Sequence, residues 1–162
     1  MGVQVNKFLR WLSGRLPCRI ISEGDAAYLE RYYLCTAFGV RCYLHRFVGS
    51  DPDRGYHDHP WRWALSIILA GWYIEEKRDG AHVRKLLNFL TGDTFHRVVL
   101  PENGDVWTLF VHRVGRTKSW GFLRPQLEEG WLWTPYSYPH EMAYLDWWLT
   151  APKGRDEPRR KA

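Results

Sequence analysis

Hydrophobic and polar positions along this chain follow short segments that are typical of β-strands. VRCYLHRF at 40–47 shows partial period-2 alternation, and WRWALSIILA at 61–70 is an apolar segment that indicates a strand buried on both faces. Gly71 ends that segment, and turn sequences such as RDG (78–80) and PENGD (101–105) separate further apolar runs. We therefore predict seven or eight short antiparallel strands, joined by tight turns, in a small barrel or jelly roll.

The two ends of the chain differ from this strand pattern. Apolar residues recur at helical spacing from Val5 to Leu16, which predicts an amphipathic helix over about residues 4–16. We expect that helix to pack against its own domain. The aromatic segment 128–149 predicts an extension that ends in a helix on the outside of the barrel.

No internal repeat or linker divides the chain, so we predict a single domain over residues 1–152. The barrel is predicted over about residues 40–123, whereas residues 19–36 have an ambiguous pattern. Residues 153–162 are rich in basic side chains, and we predict a disordered tail there.

Composition and charge exclude several classes of protein. The chain has 162 residues, of which 45% are hydrophobic and 16% aromatic, and this is enough for a core without disulfides. The net charge of +5 lies largely in the tail, and elsewhere basic residues alternate with acids, so we expect no nucleic-acid partner. Cys18, Cys35 and Cys42 lack metal or disulfide spacing, which favours reduced thiols and a cytoplasmic location. No apolar stretch reaches membrane-spanning length, and we expect no membrane partner.

Two histidines lie one residue apart just before the apolar segment. Because alternate residues of a strand point to the same face, His57 and His59 should project together, with Asp58 on the other side. Converging neutral imidazoles are ligands for transition metals. The best candidate for a third ligand is His96, at the start of the apolar run HRVVL. The alternative is a surface turn without metal, because an HxH pattern alone is a weak motif.

Other histidines and one acid have less certain roles. His45 and His112 also lie on predicted strands, where a role in the core is the first interpretation and a role as ligand the second. Glu75 follows Gly71 on the next strand and would complete a His/His/Glu/His site, although strand geometry places it some distance from His57.

The segment GYHDHPWRWALSIILAG resembles the first motif of the cupin superfamily, which has a Gly, then HxH, and a closing Gly that matches Gly71. TGDTFHRVV is similar to the second cupin motif, with His96 as its ligand. The Glu of the first motif has no counterpart, because its place falls near Trp63 or Ala64. The resemblance implies an all-β, cupin-like antiparallel barrel, and because cupins commonly pair through their sheets it is compatible with a homodimer.

A cupin that keeps three histidines without the carboxylate resembles the thiol dioxygenase branch, typified by cysteine dioxygenase. This resemblance implies Fe(II) as the cofactor and an arginine that grips the substrate carboxylate, about 26 residues before the first ligand, where Arg31 stands. It also implies a relay role for His112. The branch's crosslinking Cys and relay Tyr would fall at Ala64 and Val114, so a divergent relative is expected.

Alternatives remain for the clamp and the pocket wall. Arg46 and Arg62 compete with Arg31 as clamps, and an ion pair of Arg31 with Glu23 or Glu30 is equally compatible with the sequence. Aromatic residues around the HxH motif are candidates for the pocket wall, with Tyr73 as a catalytic candidate: Trp61, Trp63 and Tyr73.

Three functions remain open from the sequence. The main prediction is a non-haem Fe(II) dioxygenase-like enzyme that acts on a small molecule such as a thiol. The second is a cupin isomerase or lyase that uses Zn, Ni or Mn as a Lewis acid. The third is a non-catalytic cupin that binds a ligand or partner through the aromatic sequences WLWTPYSY and DWW.

Overall fold

The structure, a computed structural model, describes residues 2–101, 104–126, 130–136 and 146–159. One α-helix, α1, begins this part of the chain, and strands follow. The elements in chain order are α1 (Gly2–Ser13), β1 (Cys18–Glu23), β2 (Ala26–Ala37), β3 (Val40–Phe47), β4 (Tyr56–His57), β5 (Trp63–Ala70), β6 (Tyr73–Lys77), β7 (Gly80–Arg84), β8 (Leu87–Thr91), β9 (Arg97–Val99), β10 (Val106–Arg113), β11 (Gly121–Gln126), β12 (Gly130–Pro135) and the 3₁₀ helices Trp147–Leu149 and Gly154–Asp156.

The strands form two layers. One is a six-stranded antiparallel sheet in the order β1-β2-β3-β10-β5-β8. The other consists of two three-stranded sheets, β12-β11-β4 and β7-β6-β9, which a bridge between His57 and His96 joins. The backbones of these two histidines exchange hydrogen bonds of 2.9 and 3.0 Å. The predicted antiparallel jelly roll is confirmed, although the sheets remain open at their edges.

Alternate residues of β10 face opposite sides of the large sheet, as strand geometry requires. Val106 faces the second layer and packs there with Tyr73 and Val98. Trp107 faces the other way and packs under α1 against Leu9 and Tyr32. The large sheet therefore has an inner face toward the second layer and an outer face that the helix covers.

The outer face carries a buried ion cluster beneath α1. Arg46 is fully buried and donates to both carboxylate oxygens of Glu30 at 3.1 Å and, through Nε, to Asp105 at 2.8 Å. The hydroxyl of Tyr32 donates to Glu30 at 2.6 Å. Arg46 points away from the inner face, so its alternative assignment as a substrate clamp is wrong.

The predicted boundaries differ from the structure at the N-terminal end. The ambiguous residues 19–36 form most of β1 and β2, which extend the large sheet. Helix α1 ends at Ser13 rather than near residue 16, because the chain turns there: the N–H of Arg15 donates to Leu12 and that of Leu16 to Ser13. No helix in the described residues has the length and apolarity needed to cross a membrane.

The C-terminal part of the chain combines a strand, a short helix and a segment that contacts the end of α1. Residues 130–135 of the predicted extension form β12, which pairs with β11. The only helix that the structure describes in the aromatic segment is the short turn Trp147–Leu149, and residues 137–145 lie outside the described ranges. Within residues 153–159, for which a disordered tail was predicted, the buried Gly154 donates its N–H to the carbonyl oxygen of Leu16 at 2.9 Å, and the N–H of Arg155 donates to that of Gly14 at 3.1 Å.

Candidate metal centre

The three histidines that the sequence singled out lie together between the layers. His57 ends β4, His59 follows two residues later, and His96 directly precedes β9. One ring nitrogen of each lies within 4.8 Å of the other two. The Nε2 atoms of His59 and His96 are 3.0 Å apart. The backbone bridge between His57 and His96 creates this arrangement, because it places the two strands side by side.

The residues fit a divalent transition metal. Metal–nitrogen bonds of about 2.0–2.1 Å place two neighbouring ligand nitrogens about 3.0–3.4 Å apart, and the 3.0 Å spacing of His59 and His96 agrees. Burial, and secondarily the charges of neighbouring side chains, lowers the pKa of His57 and of His59 well below the usual value. Both rings are therefore neutral at pH 7, which is the protonation state that binds metal.

Asp58, between the two ligands, holds this segment in place. It is buried and points to the other side, as the sequence predicted. Its Oδ1 accepts the N–H of Gly121 at 2.7 Å, and its Oδ2 lies 2.8 Å from Nζ of Lys118. These contacts tie the HDH segment to β11, so that His57 and His59 have a fixed backbone.

Glu75 contacts His96 at Nδ1, the ring nitrogen that does not face His59. Its Oε1 lies 3.1 Å from Nδ1 of His96 and accepts from Asn88 at 2.8 Å. Arg84 donates to the other oxygen at 2.6 Å. Burial alone would raise the pKa of Glu75, but the contacts with His96, Asn88 and Arg84 outweigh it and hold the pKa well below the usual value.

The group of converging ligand atoms in the described residues consists of His57, His59 and His96, and Glu75 stands outside it. Glu75 faces Nδ1 of His96, whereas Nε2 of the same ring faces His59. Glu75 lies two residues after Tyr73 on β6, so the two residues are about 7 Å apart along the strand. A carboxylate in this position orients a ligand histidine and makes its ring more basic toward the metal.

A second carboxylate, Asp51, faces the first ligand. Its Oδ2 is 3.8 Å from Nδ1 of His57 and accepts the N–H of Val98 at 2.8 Å. The sequence predicted only a loop over residues 50–55. Turn-forming residues identify a loop, but they do not show which strand a side chain such as that of Asp51 will contact.

A cavity of about 190 Å³ adjoins the three histidines. Its wall on the large sheet includes Arg31 and His45, and its wall on the second layer includes Tyr73. Nε of Arg31 donates to Nε2 of His45 at 3.1 Å, and burial holds the pKa of His45 well below its usual value. The hydroxyl of Tyr73 accepts from Asn88 at 3.1 Å. The structure thus places two of the three predicted catalytic residues, Arg31 and Tyr73, at the cavity.

The third, His112, does not line the cavity. Its Nδ1 lies 2.9 Å from the carbonyl oxygen of Arg113, and its ring stacks on Trp61 with 4.0 Å between ring centroids. Burial lowers its pKa to about 4. No direct contact of His112 with the three ligand rings supports the predicted relay. Arg62, the other alternative clamp, is exposed and does not line the cavity.

Two arginines of the cavity wall were missed in the sequence. Arg19 lies directly opposite Arg31 in the pairing of β1 with β2. Arg54 donates to the hydroxyl of Tyr28 at 3.2 Å and lies 3.4 Å from Glu23. The alternation that would have revealed β1 and β2 is interrupted by irregularities of register in both strands.

No family model matches this chain, and no curated protein matches it in sequence. Solved structures match its fold. A sugar phosphate isomerase from a cupin superfamily, from Silicibacter pomeroyi, has 16% identity and a TM-score of 0.54 over 75% of this chain and 86% of its own. A cupin 2 conserved barrel domain protein from Rhodopseudomonas palustris has 12% identity and a TM-score of 0.54 over 70% and 80%.

An iron protein is also among the similar structures. The Fe(II) form of HppE has 12% identity and a TM-score of 0.50, over 60% of this chain and 56% of its own. At these identities the likeness concerns the fold and not the reaction. The chain has the fold of the cupin superfamily.

Proposed function

We propose that this protein is a metal-dependent, non-haem Fe(II) dioxygenase-like enzyme that acts on a small anionic molecule such as a carboxylate-bearing thiol. The observation that carries the proposal is the cluster of three histidines, His57, His59 and His96, beside a cavity that Arg31 also lines. Fe(II) held by these three imidazoles would supply open coordination positions for a substrate donor atom and O2.

Arg31 is suited to orient the substrate. A guanidinium pairs with a carboxylate through two parallel hydrogen bonds, which fixes both its distance and its direction. Its Nε donates to Nε2 of His45, which restrains the side chain at the cavity wall. Glu30 and Glu23, the alternative partners considered from the sequence, contact Arg46 and Arg54.

The surrounding residues keep the ligand histidines in position and limit the access of water to the cavity. Glu75 faces Nδ1 of His96, and Asp51 faces Nδ1 of His57. Aromatic rings cover much of the remaining wall, which strengthens electrostatic interactions inside the cavity. The Phe, Trp and Tyr rings on the wall are Tyr28, Phe47, Trp61, Tyr73, Phe110, Trp120, Phe122 and Tyr136.

A metal-dependent isomerase or lyase is the second candidate. The ligand set is composed of neutral imidazoles, which suit Zn and Ni as well as iron. The likeness to a cupin sugar phosphate isomerase supports this candidate to the same degree as HppE supports the first.

The test is the metal content of untagged protein, measured by mass spectrometry, together with O2 uptake over a set of small carboxylate-bearing thiols. We expect stoichiometric iron in the wild type and its loss in His57→Ala and in His96→Ala. His82→Ala is the matched control, because this side chain is 41% exposed and lies outside the cluster.

Other results would change the proposal. Stoichiometric zinc or nickel without O2 uptake would favour the isomerase or lyase. Absence of metal after reconstitution with Fe(II), Zn(II), Ni(II) and Mn(II) would exclude both enzymes and leave a ligand-binding cupin.

A further inference from the structure

Two of the three cysteines lie opposite each other on neighbouring strands. Cys35 of β2 pairs directly with Cys42 of β3, near the end of the hairpin that these strands form. Their spacing in the sequence matches no motif, and only the pairing of the strands brings them together. Cys35 is exposed and Cys42 is partly buried, so a small reagent in solution can reach the pair.

The backbone separation of the pair suits a disulfide. Residues directly opposite each other in an antiparallel pair have Cα atoms about 4.5–5.5 Å apart, within the range of about 4.4–6.8 Å found across disulfides. Their Cβ atoms lie about 4.5–5.5 Å apart and must approach by about 1 Å to reach disulfide geometry. The thiol of Cys42 already contacts that of Cys35, and burial together with this contact raises the pKa of Cys42.

The local backbone allows the small approach that a bond requires. On one side of the pair, the register of β2 shifts at Leu34, and such an irregularity bends and twists a strand. On the other side, the hairpin turns at Phe38 and Gly39, which have positive φ values of 52° and 71°. The side chain of Phe38 is fully exposed. The cysteines therefore lie in a short hairpin end, between a bulge and an exposed turn, where the strands can adjust.

The pair lies on the outer face of the large sheet, away from the metal centre. Leu44, two residues after Cys42 on β3, packs under α1 against Leu9, and alternate residues of a strand share a face. The neighbour of Cys42 on β10 is Val111, which is apolar. Chemistry at the two thiols is therefore separate from the histidine cluster on the inner face.

The third cysteine does not compete for either thiol. Cys18 is buried and pairs with Tyr32, about 10 Å along β2 from Cys35. A disulfide cannot span Cα atoms more than about 7 Å apart without movement of the backbone. Burial also raises the pKa of the Cys18 thiol to about 12, so this thiol stays protonated and unreactive.

We propose that Cys35 and Cys42 are a redox-active dithiol, which small-molecule disulfides oxidise reversibly to an intramolecular cross-strand disulfide. The thiolate of the exposed Cys35 attacks one sulfur of the incoming disulfide, which forms a mixed disulfide and releases one thiol. Cys42 then gives up its proton, attacks the sulfur of Cys35 and releases the second thiol. The pair loses two electrons and two protons, and the reagent is reduced to two thiols.

Reversal follows from the position of the bond. Exposed or strained disulfides are more easily reduced than buried ones, because a thiolate can attack them and their opening relieves the strain. The bond would also fix the register of β2 against β3 at the hairpin end. These are the two strands that carry Arg31 and His45 on the inner face.

The test is treatment of the whole chain with glutathione disulfide at pH 8, followed by alkylation of the remaining thiols in denaturant, tryptic digestion and mass spectrometry. Trypsin cleaves after Arg41, which separates Cys35 and Cys42 onto different peptides, residues 32–41 and 42–46. We expect these two peptides to be joined in most molecules, and to separate again after reduced glutathione is added. The intact mass under non-reducing conditions distinguishes the intramolecular bond from a disulfide-linked dimer.

Variants and a second probe locate the effect. Cys35→Ser and Cys42→Ser should each lose the joined peptides, whereas the matched control Cys18→Ala should keep them. Phenylarsine oxide bridges two adjacent thiols, so the reduced wild type should bind it at least about tenfold more tightly than either serine variant. Circular dichroism and a thermal melt establish that each variant is folded.

Several results would overturn the inference. These are glutathione that stays on Cys35 without formation of the joined peptides, a bond that includes Cys18, or a disulfide-linked dimer in place of the intramolecular bond. Bridging by the arsenical without a disulfide would show adjacent thiols and would still overturn the redox role. None of these measurements depends on metal or turnover, so the inference and the proposed enzyme stand or fall separately.

Discussion

The two faces of the large sheet use the same kinds of side chain in different ways. Glu30 pairs with Arg46 across β2 and β3 on the outer face, and Arg31 pairs with His45 in the next position on the inner face. Outside, the buried Arg46 contacts two carboxylates. Inside, Arg31 donates to a neutral imidazole. Adjacent residues on one strand thus belong to a buried ion cluster and to the wall of a cavity.

This difference indicates which arginine stabilises the fold and which one binds a ligand. A buried charge whose partners are also buried is costly to remove, because it leaves those partners without compensation. A charge that faces a cavity is placed where an incoming anion can contact it. The sequence offered Arg31 as the clamp and Arg46 as a competing one, and the faces on which they lie separate the two.

The largest expected effect comes from breaking the outer cluster. We expect Arg46→Ala to lower the free energy of unfolding by about 3–5 kcal/mol, because it removes a buried positive charge that contacts Asp105 and the buried Glu30. Urea denaturation followed by circular dichroism measures this effect, and Arg62→Ala is the exposed control. A loss below about 1 kcal/mol would show that the outer cluster is not a structural one.

Lowering the pH should destabilise the folded protein through the buried histidines of the inner face. The pKa of His112 is about 4 in the folded protein because burial disfavours the charged ring, whereas it is about 6.5 in the unfolded chain. Between these values the unfolded chain binds a proton that the folded protein does not, so stability falls as the pH drops from about 6.5 to 4, by about 3 kcal/mol at most for this residue.

Urea denaturation at pH 7 and at pH 4.5 measures the loss, in the wild type and in His112→Gln. The variant should lose less stability between the two pH values than the wild type. An equal loss in both proteins would assign the acid sensitivity to other groups, of which the buried His45 is the first to examine.

Substitution of Glu75 tests whether this buried carboxylate orients the metal ligand His96 or only stabilises the fold. We expect Glu75→Gln to weaken metal affinity by about 10- to 100-fold, because His96 loses the charge that faces its Nδ1. Competition with a coloured chelator measures the affinity. Glu76→Gln is the matched control, since Glu76 pairs with Arg97 on the neighbouring position of the same strand. Equal affinity in the two variants would contradict the orienting role.

The smallest expected effect on stability is that of Arg31. We expect Arg31→Gln to change the free energy of unfolding by less than about 1 kcal/mol, because the neighbouring buried Glu30 keeps its contacts with Arg46 and Tyr32. The same variant should lower anion affinity by at least about tenfold. Denaturation and calorimetry on one preparation give both values, and a stability loss as large as that of Arg46→Ala would remove the distinction between the two faces.

Local patterns predicted much of the β-structure. The period of two that places successive side chains on opposite faces separated His57 and His59 from Asp58, and apolar segments located β3, β5 and β10. The prediction was poorer where that period is disturbed. β1 and β2 contain irregularities of register, and the aromatic residues 130–135 suit an exposed strand as well as an extension that packs on the barrel.

The sequence by itself determined that two histidines share a face, that an antiparallel sheet carries them, and that α1 is amphipathic, because these depend on residues a few positions apart. The tertiary structure decided that His96 joins them, that Glu75 stands behind His96, and that Arg46 and Arg31 lie on opposite faces. It also placed Arg19 opposite Arg31. Those relations depend on which strands pair and in which register, and pairing is set by contacts between distant segments rather than by local spacing.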